Sequence, residues 1–222
     1  MNGSHDSGSG ERVVHLPVAG VELEGSLSVP EGALGVVLFA HGSGSSRHST
    51  RNRYVAAELE RGGFATLLID LLTAEEEKVD IHTRHHRFDI RMLAERLAGA
   101  TGWLRRNAGT SALRVGYFGA STGGGAALVA AAELGDQVRA VVSRGGRPDL
   151  AGEALARVRV PTLLIVGGND GPVIELNEAA KAQMRDVEVH LEIVPGATHL
   201  FEEPGTLEEV ARLAVEWFRQ HL

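Results

Sequence analysis

Six short apolar runs, each separated from the next by loop or helical sequence, leave this chain little choice of fold. The runs are Leu34 to Ala40, Phe64 to Ile69, Leu113 to Gly119, Val138 to Ser143, Pro161 to Val166 and Val187 to Val194. Most are nearly continuous in apolar residues, so they read as strands covered on both faces. Between them, Ser49 or Thr50 caps a helix over Arg51 to Arg61, stopped by Gly62-Gly63. Asp89 opens a second helix, in which Ile90, Leu93, Leu97, Ala100 and Trp103 share one face. Thr122 to Leu134 and Val173 to Met184 are helical, and Leu150 to Val158 is a short helical stretch. A final helix turns Leu207, Val210, Leu213, Ala214, Trp217 and Phe218 inward and starts at a Thr206/Glu209 capping box. Thr73 to His86 is polar with weak periodicity and reads as a loop. Before all of these, Arg12 to Pro17 and Val21 to Val29 alternate apolar and polar residues, the pattern of an antiparallel hairpin at a sheet edge. The expected architecture is α/β: a mostly parallel sheet, helices on both faces and an antiparallel N-terminal hairpin.

A chain of 222 residues suits one domain with a substantial core, expected over 11–222. Residues 1–10 are rich in Gly and Ser with no apolar stretch, and read as a disordered tail, not a signal peptide. The net charge of −7 and the lack of a basic block argue against nucleic acid or an anionic membrane as partner. No apolar run has the length of a membrane span. With no cysteine, a disulfide, a thiolate nucleophile and a Cys-bound metal are all excluded, which agrees with a cytoplasmic setting.

A parallel sheet sends the carboxyl ends of its strands to one rim, where ligands bind. His41, Asp70, Ser121, Arg144, Asp170 and His199 all fall there. Ser121 stands in Gly119-Ala-Ser-Thr-Gly123, a Gly-x-Ser-x-Gly turn between an apolar run and an alanine-rich helix. A serine hydroxyl needs a base to take its proton and a third group to orient that base. His199 and Asp170 each follow a different strand, and the order Ser121, Asp170, His199 is that of one serine-hydrolase fold and differs from the orders of chymotrypsin and subtilisin.

On four motifs the chain resembles the α/β-hydrolases, and in its compactness their dienelactone hydrolase branch. The motifs are His41-Gly42-Ser43-Gly44, Gly119-Ala-Ser121-Thr-Gly123, Gly167-Gly-Asn-Asp170 and Gly196-Ala-Thr-His199. The chain departs from the founding members of that branch, which use a cysteine nucleophile, in carrying serine. The resemblance implies a serine carboxylic-ester hydrolase with Ser121 as nucleophile, His199 as base and Asp170 as its orienting acid. It implies an oxyanion hole from the backbone N–H groups of Thr122 and of Ser43 or Gly42, and no cofactor or metal. The expected partner is a small-molecule ester or lactone; association as a homodimer stays open. Thioester, peptide or acyl-transfer chemistry could use the same triad, and a non-catalytic ligand-binding relative is the remaining alternative.

The rim offers plainer readings too. The glycines after Ser121 could cradle a phosphate, but neither Gly-Lys-Ser/Thr nor Gly-x-Gly-x-x-Gly spacing is present. Asp70 reads as a residue that bonds loop amides, and His41 as a buttress. His82, His85 and His86 beside Asp80 fit no standard metal spacing and read as a solvated loop. Arg144 and Arg147 follow a strand onto the rim and could bind a substrate carboxylate or phosphate, or merely be solvated. Between Ser143 and Pro161 there is room for only a partial lid, Arg147 to Arg159, with Thr73 to His86 as a wall.

Overall fold

The computed structural model describes residues 10–222, and the expected tail, apart from Gly10, lies outside the described residues. Eight strands form one sheet: β1 (Arg12–Val18), β2 (Val21–Ser28), β3 (Val36–Ala40), β4 (Ala65–Ile69), β5 (Val115–Ala120), β6 (Ala140–Arg144), β7 (Thr162–Gly167) and β8 (Val189–Val194). Their order is β1-β2-β4-β3-β5-β6-β7-β8. β1 and β2 pair antiparallel, and β2 joins β4 antiparallel; every later pairing is parallel. β3 to β7 are buried along their whole length, as their continuous apolar sequence requires.

The helices are α1 (Thr50–Arg61), α2 (Ala74–Thr83), α3 (Ile90–Arg106), α4 (Thr122–Leu134), α5 (Gly171–Gln183) and α6 (Thr206–His221). Two apolar clusters lie on the two faces of the sheet. One gathers Leu93, Leu97, Ala100 and Leu104 of α3 with Ala126, Ala127 and Ala130 of α4. The other gathers Val55 and Leu59 of α1 with Val210, Ala214 and Phe218 of α6. Small residues along α4 bring it close to the sheet: a Cβ on Gly119 would lie 2.6 Å from Gly124 Cα, and one on Gly123 only 2.2 Å from the Ala40 carbonyl oxygen. Those are glycines because the backbone of α4 crosses directly against β3 and β5.

The strand order fixes the position of the site. From β3 the chain moves to β4 on one side, then returns past β3 to β5 on the other. The crevice at such a reversal opens at the carboxyl ends of the two central strands. Those ends carry His41-Gly42-Ser43 and Ser121.

Two local expectations are corrected, and a third, the short helical stretch near Leu150, takes a specific form. Thr73 to His86 is mainly the helix α2, with a 3-10 turn at His86–Phe88. Only Asp80 of α2 is buried while Val79 and Ile81 are exposed, so no apolar stripe announces the helix. Its start is set instead by a capping box: Glu76 N–H donates to Thr73 Oγ1 at 3.2 Å, and Thr73 N–H donates to Glu76 Oε2 at 2.8 Å. The Thr206/Glu209 box does not form. Gly205, at φ 84°, is the N-cap of α6, which makes Thr206 the first helical residue, and its hydroxyl donates to the Glu203 carbonyl at 2.7 Å. The stretch near Leu150 is a 3-10 segment, Pro148–Arg157, kinked at Gly152. It buries Ala151, Ala154 and Leu155 and packs on α4.

Thr73→Ala removes one half of the box at the start of α2 and is expected to cost about 1 kcal/mol. The urea midpoint, compared at equal slope, measures it; an unchanged midpoint would mean that the cap adds nothing to α2.

Candidate active site

β5 ends in a turn that ordinary backbone geometry resists. Ser121 sits at φ 51°, ψ −121°, a conformation that costs a non-glycine residue roughly 1–3 kcal/mol. Three main-chain hydrogen bonds hold it there. Ser121 N–H donates to the Arg144 carbonyl at 3.2 Å, and the Ser121 carbonyl accepts from Gly124 N–H and Arg147 N–H, both at 3.0 Å. Thr122 follows as the first residue of α4, so its N–H has no acceptor within the helix. Gly42 lies against Ser121: a Cβ there would stand 3.1 Å from Ser121 Cβ.

Asp170 and His199 arrive from two loops stitched to each other. Asn169 N–H donates to the Ala197 carbonyl at 2.9 Å and its side-chain amide to the Gly196 carbonyl at 2.9 Å. Gly168 N–H donates to the Val194 carbonyl at 2.8 Å. The result is a 2.6 Å hydrogen bond between His199 Nδ1 and Asp170 Oδ2, with the carboxylate more deeply buried than the ring. Gly145 brings this pair to the serine turn. A Cβ on it would meet His199 Cε1 at 3.6 Å, and the preceding residue, Arg144, is the one whose carbonyl holds Ser121 N–H.

Glu203, which the sequence did not single out, fastens the His199 loop. It accepts from Thr198 N–H at 3.0 Å and Thr198 Oγ1 at 2.7 Å, and these bonds hold its carboxyl below the usual carboxylate range. Thr198-x-x-x-x-Glu203 is no recognised pattern, so only the fold reveals the contact.

His41 joins the loop after β3 to the end of β4. Its Nε2 accepts from Leu71 N–H at 3.0 Å, which leaves the proton on Nδ1, and Nδ1–H donates to the Gly42 carbonyl at 2.9 Å. Burial pushes its pKa down. Asp70 bonds a loop amide, accepting from Arg47 N–H at 2.7 Å, and also pairs with the Arg47 guanidinium, whose Nη2 reaches Glu24 at 2.7 Å. Asp80 accepts from His86 N–H and Arg87, so that carboxylate serves the end of α2. Of the rim arginines, Arg147 is closed on Asp149 through Nε at 2.8 Å and Nη2 at 2.7 Å. Arg144 is buried and has no such partner among the described residues.

A small solvent-open cleft adjoins the serine turn, lined by His41, Ser43, Leu71, Leu72, Leu93 and Thr122 among others. Glu77 and Asp80 of α2 form one wall. Among the described residues, no helix is long and apolar enough to cross a membrane.

Eight strands in this order, the serine turn after β5 and the His–Asp pair after β7 and β8 define an α/β-hydrolase. The model of the dienelactone hydrolase family matches residues 23–222, and the chain belongs to that family. It is similar to the crystal structure of a dienelactone hydrolase from Anabaena variabilis: 63% identity, TM-score 0.94, 96% of this chain and 98% of the other covered. An esterase from Pyrococcus furiosus shares the fold at 18% identity and a TM-score of 0.73, with 96% and 93% covered. A Mycobacterium tuberculosis protein, provisionally named a phosphoribosyl transferase, is 63% identical over 206 residues. That match covers 92% of this chain but 45% of the relative, so the chain spans less than half of the curated relatives' length.

The lowered pKa of His41 has a consequence for stability. As pH falls through the ordinary histidine value near 6.5, the unfolded chain takes up this proton first. Stability is therefore present above that value and lost as pH falls towards the lower folded one. Urea unfolding of the wild type between pH 7 and pH 5 should lose stability more steeply than that of His41→Asn; equal slopes would remove His41 from the account.

Proposed function

We propose that the chain is a serine hydrolase that cleaves a small carboxylic ester or lactone through an acyl-enzyme. The observation that carries this reading is the Asp170–His199 hydrogen bond, on the same rim of the sheet as a serine held at positive φ. In this mechanism Ser121 Oγ attacks the acyl carbon as His199 Nε2 takes its proton. Asp170 accepts from Nδ1–H, which fixes the tautomer and stabilises the imidazolium. His199 then gives the proton to the leaving alkoxide. A water, deprotonated in turn by His199, releases the acid and restores Ser121.

The tetrahedral oxyanion is held by the N–H groups of Thr122 and Ser43. Thr122 lies at the positive end of the α4 dipole. For Ser43 the support is peptide geometry. The Gly42 carbonyl accepts from His41 Nδ1–H and, at 3.1 Å, from Ser45 N–H. In a trans peptide the N–H points opposite to the carbonyl, so Ser43 N–H is aimed away from these donors. One such donor is worth about 3–4 kcal/mol of barrier.

The limited cleft favours a short acyl group, and the packing of Pro148–Arg157 on α4 leaves the site with a minimal lid. The absence of cysteine suits a cytoplasmic enzyme. Phosphoribosyl transfer is in the provisional name of the mycobacterial relatives, of whose length this chain matches 45%, and nothing at Ser121 supports it.

A fluorophosphonate probe with peptide mass mapping should label Ser121 and leave Ser121→Ala unlabelled. Labelling of another residue, or none in folded protein, would overturn the nucleophile. Asp170→Asn should keep the fold and lower kcat for a p-nitrophenyl ester by on the order of 10⁴; a loss below tenfold would remove Asp170 from the triad.

A further inference from the structure

β6 ends with two side chains on opposite faces. Ser143 turns towards α4, where a Cβ on Gly124 would meet its Oγ at 2.5 Å. Alternation sends Arg144 to the other face, among α1, α6 and the His199 loop. There its guanidinium carbon stands 5.9 Å from the ring centre of Phe201, two residues after His199. Arg144 is 7% exposed, and its Nε and Nη1 are buried without a hydrogen-bond partner among the described residues.

Arg47 and Arg96 also leave a buried Nε unpartnered, but unlike Arg144 the other buried or half-buried arginines each hold a carboxylate. Arg47 is closed on Asp70 and Glu24, Arg87 on Asp80, Arg96 on Glu76 and Arg147 on Asp149. The charge that acts on Arg144 is that of another cation, Arg51 in the first turn of α1. Desolvation, with Arg51 adding repulsion, pushes Arg144 down to about 10, still charged at neutral pH. Arg51 itself holds only Glu202, at 3.2 Å through Nη1, and Glu202 is largely exposed. Its Nε is also buried and unpartnered. Burying a charge without an opposite partner is among the costliest things a fold can do. A buried guanidinium with unused donors, beside the His199 loop and within reach of a second cation's charge, gains most from an anion that reaches both.

We propose that Arg144 and Arg51 form an anion subsite that receives a carboxylate or phosphate group of the substrate. The subsite lies on the α1–α6 side of Ser121, across the sheet from the cleft walled by α2. It makes Arg144 the specificity-determining residue, with Arg51 exchanging its exposed Glu202 for the ligand. The kinetic part of the proposal rests on the hydrolase reading; the binding part does not.

Binding is read first, in Ser121→Ala protein, by calorimetric titration with inorganic phosphate and, separately, succinate. One or both should bind saturably in the millimolar range, and which one binds separates a phosphate from a carboxylate ligand. Adding Arg144→Met should weaken binding at least tenfold. No binding of either probe, or binding unchanged by Arg144→Met, overturns the subsite. Kinetics are read with two p-nitrophenyl esters of matched length, the succinate monoester and the neutral valerate. Arg144→Met should lower the anionic-to-neutral ratio of kcat/KM about tenfold, through KM. Equal losses on both esters would overturn the proposal and leave Arg144 as a support for Phe201. Arg51→Ala, at a half-exposed position, gives a second variant: an undiminished ratio and undiminished anion binding would remove Arg51. If neither ester is turned over by the wild type while anion binding persists, the hydrolase reading fails and the subsite stands.

Discussion

The backbone of Ser121 is the constraint on which the rest of the site depends. A residue at φ 51° survives only where neighbours over-determine it. Here the neighbours come from β6, the loop after it and α4 itself, through Arg144, Arg147 and Gly124. The same constraint sets the local sequence. A turn this sharp drives α4 straight back across β3 and β5, and the crossing is so close that side chains at 119 and 123 would strike backbone. The glycines around the serine therefore serve packing as much as turning, which is why a phosphate cradle is not needed to explain them.

Around that fixed point the remaining groups are supported separately. Asp170 and His199 are tied to each other by the Asn169 bonds before either reaches the serine. The loop after β3 is tied to β4 by His41, and to β2 by the Asp70–Arg47–Glu24 chain. The Arg144–Gly145 step links the serine turn to the His–Asp pair, and Asn177 of α5 adds a second tie through the Gly146 carbonyl. Each part is held by its own bonds, so each tolerates or fails a substitution by itself, and the parts meet at the reversal in strand order between β3 and β5.

Much of this was legible in the sequence because it rests on signals one residue type can carry. Continuous apolar runs mark strands buried on both faces, and Gly-x-Ser-x-Gly marks the turn at Ser121. The order of Ser121, Asp170 and His199 follows from the order of the strands. What was not legible depends on surfaces or on distant partners. α2 has no buried stripe, so its acidic first turn looked like loop. Gly205 at φ 84° displaced the apparent cap at Thr206 by one residue. The partner of Glu203 is a main-chain amide five residues back, and the difference between Arg144 and Arg147 lies wholly in whether a carboxylate stands near. Two arginines three residues apart look alike in a sequence.

The placement of His199 after β8 has a kinetic reach beyond chemistry. In the strand order β8 is terminal and pairs with β7 alone, and Glu192 and Ile193 stand exposed. Segments at such margins open locally at a fraction of the free energy needed to unfold the whole molecule. Ser121, by contrast, is rooted between central strands. Under mild denaturant His199 would leave Ser121 while the interior stayed packed, so under the proposed mechanism turnover would vanish ahead of any change in the core. Activity in this molecule is a gauge of one margin of the sheet, not of the fold.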